Sequence, residues 1–114
     1  AQNRNGEFLL AVAIAEKAKE PLTNLERAEI DNQTGLVNVR FNQFEAAVKA
    51  FRSVADRQGT ELGAVRTAAL KNLAVLYQRA GFKHKAIEMW ERALASAPDD
   101  ETRHGIKEHL MTLL

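Results

Sequence analysis

The side chains best suited to chemistry are thinly spread along this chain. There are three histidines, His84, His104 and His109. His104 and Glu108 stand four apart on one helix face with His109 adjacent, a spacing that could hold a metal ion weakly. No third ligand stands at a diagnostic distance and no HExxH pair occurs, so the three read as exposed polar residues and no metal or other cofactor is expected. The carboxylates recur beside cations, as in Glu16 with Lys19 and Glu88 with Arg92. That is the spacing of surface helix pairs worth roughly 0.2–0.5 kcal/mol each, not of a catalytic dyad. Cysteine is absent, which removes thiolate ligands, disulfides and a Cys nucleophile and leaves the redox compartment open. With no Gly-rich phosphate loop, no GxSxG elbow and no ordered Ser/His/Asp set, an enzyme is not expected.

Composition narrows the field further. The 114 residues suffice for one domain or for a piece of a longer array, and the start at Ala1 without Met fits a processed or excised piece as well as initiator-Met removal or a tag scar. Apolar residues make up 46% and aromatic ones only 6%, with Ala the commonest apolar type. Small side chains of that kind let helices approach closely and suit an all-α core. A formal net charge of +1 argues against a general nucleic-acid binder. The apolar stretch from Phe8 to Ala15 is too short to span a bilayer and lacks the flanks of a signal peptide, so no membrane insertion is expected. Cytoplasm and periplasm both remain open as locations.

Turn signals cut the chain into helix-sized pieces. Pro21 must stop the run that follows Gly6, because proline lacks the amide proton a helix interior needs. Thr23 with Glu26, and Asn42 with Glu45, read as capping boxes. Gly59 is a stop and Thr60 an N-cap, Gly81 a further stop, and Pro98 with Asp99 and Asp100 closes one helix and opens the last. The expectation is about six helices, at roughly 7–20, 24–41, 43–57, 61–80, 83–96 and 100–113, with short connections and antiparallel neighbours. The second carries a possible break near Thr34, since Asp31-Asn32-Gln33-Thr34-Gly35 is poor helix material and Val37 to Phe41 has strand character.

An internal period then emerges. Residues 67–100 read TAALKNLAVLYQRAGFKHKAIEMWERALASAPDD. Leu70, Asn72, Leu73, Ala74 and Tyr77 precede Gly81, and Ala86, Ile87, Trp90, Ala93 and Leu94 lead to Pro98. In this pattern the stretch resembles one tetratricopeptide repeat, a helix-turn-helix unit of about 34 residues. Small Ala74 and Ala86 allow a close crossing, and Tyr77 and Trp90 fill the space beside it. A more divergent copy shows Phe44, Ala47, Val48, Phe51 and Val54, with Gly35 at the small position and Asn38 where Tyr77 stands in the better copy. The two are offset by about 39 residues, and the surplus is assigned to an N-terminal extension of the helix starting near Glu61. Phe8, Ala11, Val12, Ala15 and Ala18 fit a lone second helix. The last helix departs from the pattern, with Lys107 and Glu108 where Leu73 and Ala74 stand. Its apolar residues are Ile106, Leu110, Met111, Leu113 and Leu114, as in a capping helix.

The resemblance implies a single domain over 1–114: a half-repeat helix at 7–20, a divergent repeat at 24–57, a well-matched repeat at 61–98 and a cap at 100–114. The implied architecture is a short right-handed superhelix, an α-solenoid of antiparallel helix pairs whose first helices line a concave face. By similarity to the family, the ligand-contacting positions are Glu29, Asn32, Leu36, Val39 and Arg40 in the earlier copy, and Lys71, Asn72, Val75, Gln78 and Arg79 in the later. Arg40, Lys71 and Arg79 would hold a carboxylate or acidic side chain, Asn32 and Asn72 a peptide backbone, and Leu36 and Val75 an apolar side chain. A solvated helix face is the plain alternative for the same residues.

Those features imply a protein-binding scaffold or adaptor for a peptide or partner protein. The alternatives are a module that self-associates through its terminal apolar runs, Phe8 to Ile14 and Leu110 to Leu114, as a homodimer, or a recruiting arm of a larger enzyme or secretion machine. The repeat register itself can be tested. Trp90→Ala is expected to cost about 3–5 kcal/mol, and a bulky residue at Ala86 about 1–3 kcal/mol by overpacking. An unchanged thermal midpoint in either variant would count against the register.

Overall fold

A computed structural model describes residues 21–114. It contains five α-helices: α1 (Asn24–Arg40), α2 (Phe44–Ala55), α3 (Gly63–Arg79), α4 (Lys83–Ser96) and α5 (Asp100–Leu113), with a 3₁₀ turn at Thr60–Leu62 before α3. No strand occurs among the described residues. Each helix packs antiparallel on the next, and the backbones of α1 and α3 also approach each other. The all-α class matches the expectation, and so do the connections except the one from Asp56 through Leu62, which is longer. The helix expected at 7–20 lies outside the described residues.

Local chemistry explains why α1 starts where it does. The Thr23 hydroxyl accepts the Glu26 amide at 3.1 Å, and the Glu26 carboxylate accepts the Thr23 amide at 2.9 Å. The capping box is therefore complete, and these bonds, the backbone one first, hold the Glu26 carboxyl below its ordinary range. The break considered near Thr34 is absent: α1 runs unbroken for 17 residues. Thr34 donates its hydroxyl to the Ile30 carbonyl at 2.9 Å, and Asn38 donates its amide to the Thr34 carbonyl at 2.9 Å. Gly35 is buried under the Phe51 ring, so packing against α2 outweighs the poor propensity of this stretch. At the other end of the chain, Asp99 caps α5 by accepting the Thr102 amide at 2.7 Å, which likewise lowers its carboxyl pKa.

Two boundaries differ from the sequence expectation. Asn42 does not cap α2. It sits at φ 57°, in the left-handed region after α1, where a short polar side chain is tolerated. The N-cap of α2 is Gln43, which makes no side-chain capping bond. Thr60 opens the 3₁₀ turn and not a helix, and α3 begins at Gly63. The helix expected from near Glu61 is preceded there by the 3₁₀ turn, which closes the connection from Asp56 through Leu62 and runs directly into α3.

The two helical hairpins turn in the same way. After α1, the Asn42 amide bonds the Val39 carbonyl at 3.1 Å and the Gln43 amide bonds that of Asn38 at 2.8 Å. After α3, Gly81 bonds Gln78 at 3.1 Å and Phe82 bonds Tyr77 at 2.8 Å. Both are Schellman turns, with the left-handed residue supplied by Asn42 in one and by Gly81, at φ 87°, in the other.

Beneath the turns lies a continuous core. Ala47 and Ala86 are 0% exposed where paired helices cross, Phe51 and Trp90 fill the space beside them, and Leu70, Leu73, Ala74 and Val54 join the same cluster. Helix α5 adds Ile106 and Leu110 to this core, while Arg103, Lys107 and Glu108 stay exposed. His109 stacks on Trp90 with ring centroids 4.6 Å apart and planes 6° from parallel, which fastens α5 to α4.

Two glycines separate packing from propensity. A methyl at Gly35 would fall 2.6 Å from Phe51 Cδ1, whereas one at Gly105, inside α5, would meet nothing within 4 Å. Gly35→Ala is expected to destabilise by about 1–3 kcal/mol despite its better helix propensity. Gly105→Ala should stabilise by about 0.5–1 kcal/mol. Urea unfolding of both variants checks this, and a gain at Gly35 equal to that at Gly105 would refute the close approach.

Candidate functional site

Because α1 and α3 are each antiparallel to α2, they run parallel and side by side. Between them the Asn72 side-chain amide donates to the side-chain oxygen Oδ1 of Asn32 at 3.3 Å. Of the other residues expected to face a ligand, Leu36 and Val75 are half-buried against the core and Lys71 is half-buried. Arg40, Gln78 and Arg79 are exposed, as is Glu29, and Val39 packs partly on the core.

The arrangement brings some of these residues together and separates others. Asn32 and Asn72 meet, and each spends part of its hydrogen-bonding capacity on the other. Arg40 and Arg79 are the last residues of parallel helices and so share one end of the bundle. Lys71 is set back from Arg79 by about 12 Å along α3, at the usual rise per residue. The three cations therefore stand at two levels along α1 and α3.

An aromatic cluster at the same end did not figure among the expected site residues. Phe44 packs edge-to-face on Tyr77 at 6.4 Å, and Tyr77 on Phe82 at 6.3 Å. The Lys85 ammonium lies 5.5 Å from the Tyr77 centroid and 5.6 Å from that of Phe82, within cation–π range. Arg52 Nε–H donates to the Tyr77 hydroxyl at 3.3 Å, a bond that further secures the guanidinium charge. In the sequence Tyr77 reads as a core filler, and Phe82 is given no role. The signal that links them is their position at the last carbonyls and first amides of one Schellman turn.

The connection between α2 and α3 holds an open pocket of about 370 Å³ lined by Arg57, Arg66 and Arg92 and by the backbone around Gly59. These guanidinium groups are largely engaged by the chain itself. Arg57 reaches Asn24 and Asp31, each at 3.3 Å. Arg66 Nη2 donates to the carbonyls of Arg57 at 2.6 Å and Gly59 at 3.0 Å. Arg92 donates to the Ala55 carbonyl at 3.2 Å and to Asp56 at 3.1 Å. The site is a clamp on the long connection, and its donors satisfy carbonyls that the end of α2 leaves open.

Reactive groups remain sparse. Among the described residues no group of three His, Cys, Asp or Glu could hold a metal ion. His104 pairs with Glu108 at 3.1 Å on an exposed face, and His109 is turned onto Trp90. The expected Glu88–Arg92 pair does not form, because Arg92 takes Asp56. Of the Leu110–Leu114 run, Leu110 is buried and Leu113 half-buried, while Met111 and Leu114 are exposed; the partner run Phe8 to Ile14 lies outside the described residues. No helix among the described residues is long and apolar enough to cross a membrane.

Comparison with protein-family models, with characterised proteins and with solved structures gives no match.

The clamp generates its own test. Arg66→Ala removes both carbonyl contacts and should cost about 1–3 kcal/mol. It should also open the connection at Gln58–Gly59 to limited proteolysis. A variant as stable and protease-resistant as the parent would show that Arg66 does not hold this loop.

Proposed function

We propose that this chain is a tetratricopeptide-like module that captures an acidic segment of a partner protein in the groove between α1 and α3, and that it acts as a scaffold and not as an enzyme. The observation that carries the reading is the repetition of one structural unit. Two hairpins with first helices of equal length, the same Schellman turn and the same small-on-large crossing recur about 39 residues apart. Their first helices touch while the backbones of α2 and α4 do not, the offset expected of a right-handed superhelical stack with an inner face on α1 and α3.

On that inner face the functional groups suit an extended peptide. Asn32 and Asn72 can exchange their mutual bond for bonds to a peptide backbone, as in other extended-peptide sites. Leu36 and Val75 offer apolar contact between them, and Lys71 and Arg79 offer charge along α3. Helix α5 closes the stack: Ile106 and Leu110 face inward, and Arg103, Lys107 and Glu108 present water with a polar face.

A random peptide library selected on the chain tests the reading. Acidic sequences should be enriched, and a selected peptide should bind at least tenfold more weakly to a Lys71→Glu/Arg79→Glu variant whose circular dichroism is unchanged. Enrichment without acidic character, or equal binding to the variant, would remove the groove as the site.

A further inference from the structure

The large apolar side chains left exposed among the described residues are Phe44, Phe82, Met111 and Leu114. The antiparallel order gathers them toward one end of the bundle. Helix α2 begins at Phe44, α4 begins directly after Phe82, and α5 finishes at Leu113. Helices α1 and α3 also finish at this end, bringing Arg40 and Arg79. The first turn of α4 adds Lys83, His84 and Lys85. Within a turn of these helix ends, the carboxylate among the described residues is Glu45. At the opposite end acids and cations are mixed, with Arg57, Arg66 and Arg103 standing among Asp56, Glu61 and Asp99. Unbalanced positive charge therefore gathers at the end that also exposes the apolar side chains.

The basic pole violates an ordinary rule. Carboxylates are favoured in the first turn of a helix and cations are not, yet α4 opens with Lys-His-Lys and no acid. Neither α2 nor α4 has a side-chain N-cap. The positive dipole ends of α2 and α4 share this pole with the negative ends of α1, α3 and α5, so its cationic character rests on the side chains of Arg40, Arg79, Lys83 and Lys85. A second copy meeting this end head-on would bring like charges together, so the charge calls for an anionic partner. The apolar groups stand on two turns and the end of a third segment, spread across the bundle's cross-section. That spread matches a broad anionic face better than a single side chain in a cleft.

From this we infer that the turn end of the bundle docks peripherally on an anionic lipid bilayer, with Phe44, Phe82 and Met111 entering the headgroup layer and Arg79, Lys83 and Lys85 facing lipid anions. The mode is interfacial adsorption, as for amphipathic elements that lie on a membrane without crossing it. Lys85, held over the Tyr77 and Phe82 rings, places its charge beside the inserting aromatic edge. Phe44, Phe82, Met111, Lys83 and Lys85 take no part in peptide capture, so the proposal does not depend on it.

Vesicle sedimentation of the full chain tests it, with phosphatidylcholine vesicles containing 30 mol% phosphatidylserine compared with phosphatidylcholine alone. Binding is expected to the anionic vesicles only and to fall steeply when salt is raised. At roughly fivefold per basic residue removed, Lys83→Glu/Lys85→Glu should lower partitioning more than twentyfold. Phe82→Ser should lower it severalfold with the salt dependence retained. Thermal melts establish that each variant is folded, and Arg27→Glu, an exposed position at the opposite end, should bind vesicles nearly as the parent does. Absence of binding to the anionic vesicles at low salt would overturn the proposal, as would binding unaffected by the double reversal. If vesicles are ignored while poly-glutamate binds and is lost in the same double variant, the pole serves an acidic protein and the lipid assignment is wrong.

Discussion

The helix packing depends on large rings lying among residues that have almost no side chain. Phe51 covers Gly35, and in the second hairpin Trp90 and Tyr77 share one buried cluster with Ala74 and Ala86. The small partner lets two backbones approach, and the ring then fills the volume to either side. Such a contact is intolerant in both directions, because deleting the ring leaves a cavity and adding a methyl opposite it overpacks. It also fixes the relative rotation of the helices, since only one face of each carries the small residue. Every other placement, including the path of polar groups along α1 and α3, follows from that rotation.

Repetition of the contact explains the turn chemistry. Each hairpin must reverse within three residues between crossings that are already fixed, and a Schellman turn does so with one left-handed residue. Gly81 adopts that conformation without strain; Asn42 does so with a side chain that tolerates it. In the second hairpin the ring of Phe82 folds back on Tyr77, the apolar contact that commonly accompanies this turn. In the first, Gln43 and Asn38 occupy the corresponding places and no such contact is available. Phe44, one position on, reaches across to Tyr77 instead, so the aromatic cluster joins two turns that the hydrogen bonds leave separate.

The sequence is legible where a side chain acts on its immediate neighbours. The Thr23–Glu26 box, the Asp99 cap and the alternation of small and large residues in the core can be read in this way. It misleads where the same letters serve two local structures. Asn42 followed by Glu45 has the spacing of a capping box, but Asn is also a good left-handed residue, and the preceding helix claims it. Thr60 likewise offers a cap that goes unused, because Gly59 at φ 138° and the Arg66 clamp commit the chain to a 3₁₀ turn first. Continuity of α1 through Thr34 and Gly35 could not be read locally, since Phe51 on another helix enforces it. At the candidate groove the residue types were legible but not their mutual geometry. The Asn32–Asn72 bond and the separation of Lys71 from Arg79 arise only when α1 and α3 lie side by side.

Charge placement follows a different logic from packing. A core of this kind is indifferent to which surface residues carry charge, so a helix that opens with Lys83, His84 and Lys85 is not required by the fold. Cations at the positive end of a helix dipole cost roughly 0.3–1 kcal/mol each at low ionic strength. Contact of the Lys85 ammonium with the Tyr77 and Phe82 rings offsets a part of that, at about 0.5–1 kcal/mol for an exposed pair. The remainder is a standing penalty at one end of an otherwise consistent sequence, and departures of this sort concentrate where a protein meets something else. An anion at that end converts the penalty into attraction without moving the backbone. Electrostatics and exposed aromatic surface then act together at the place where the two turns and the end of α5 come level.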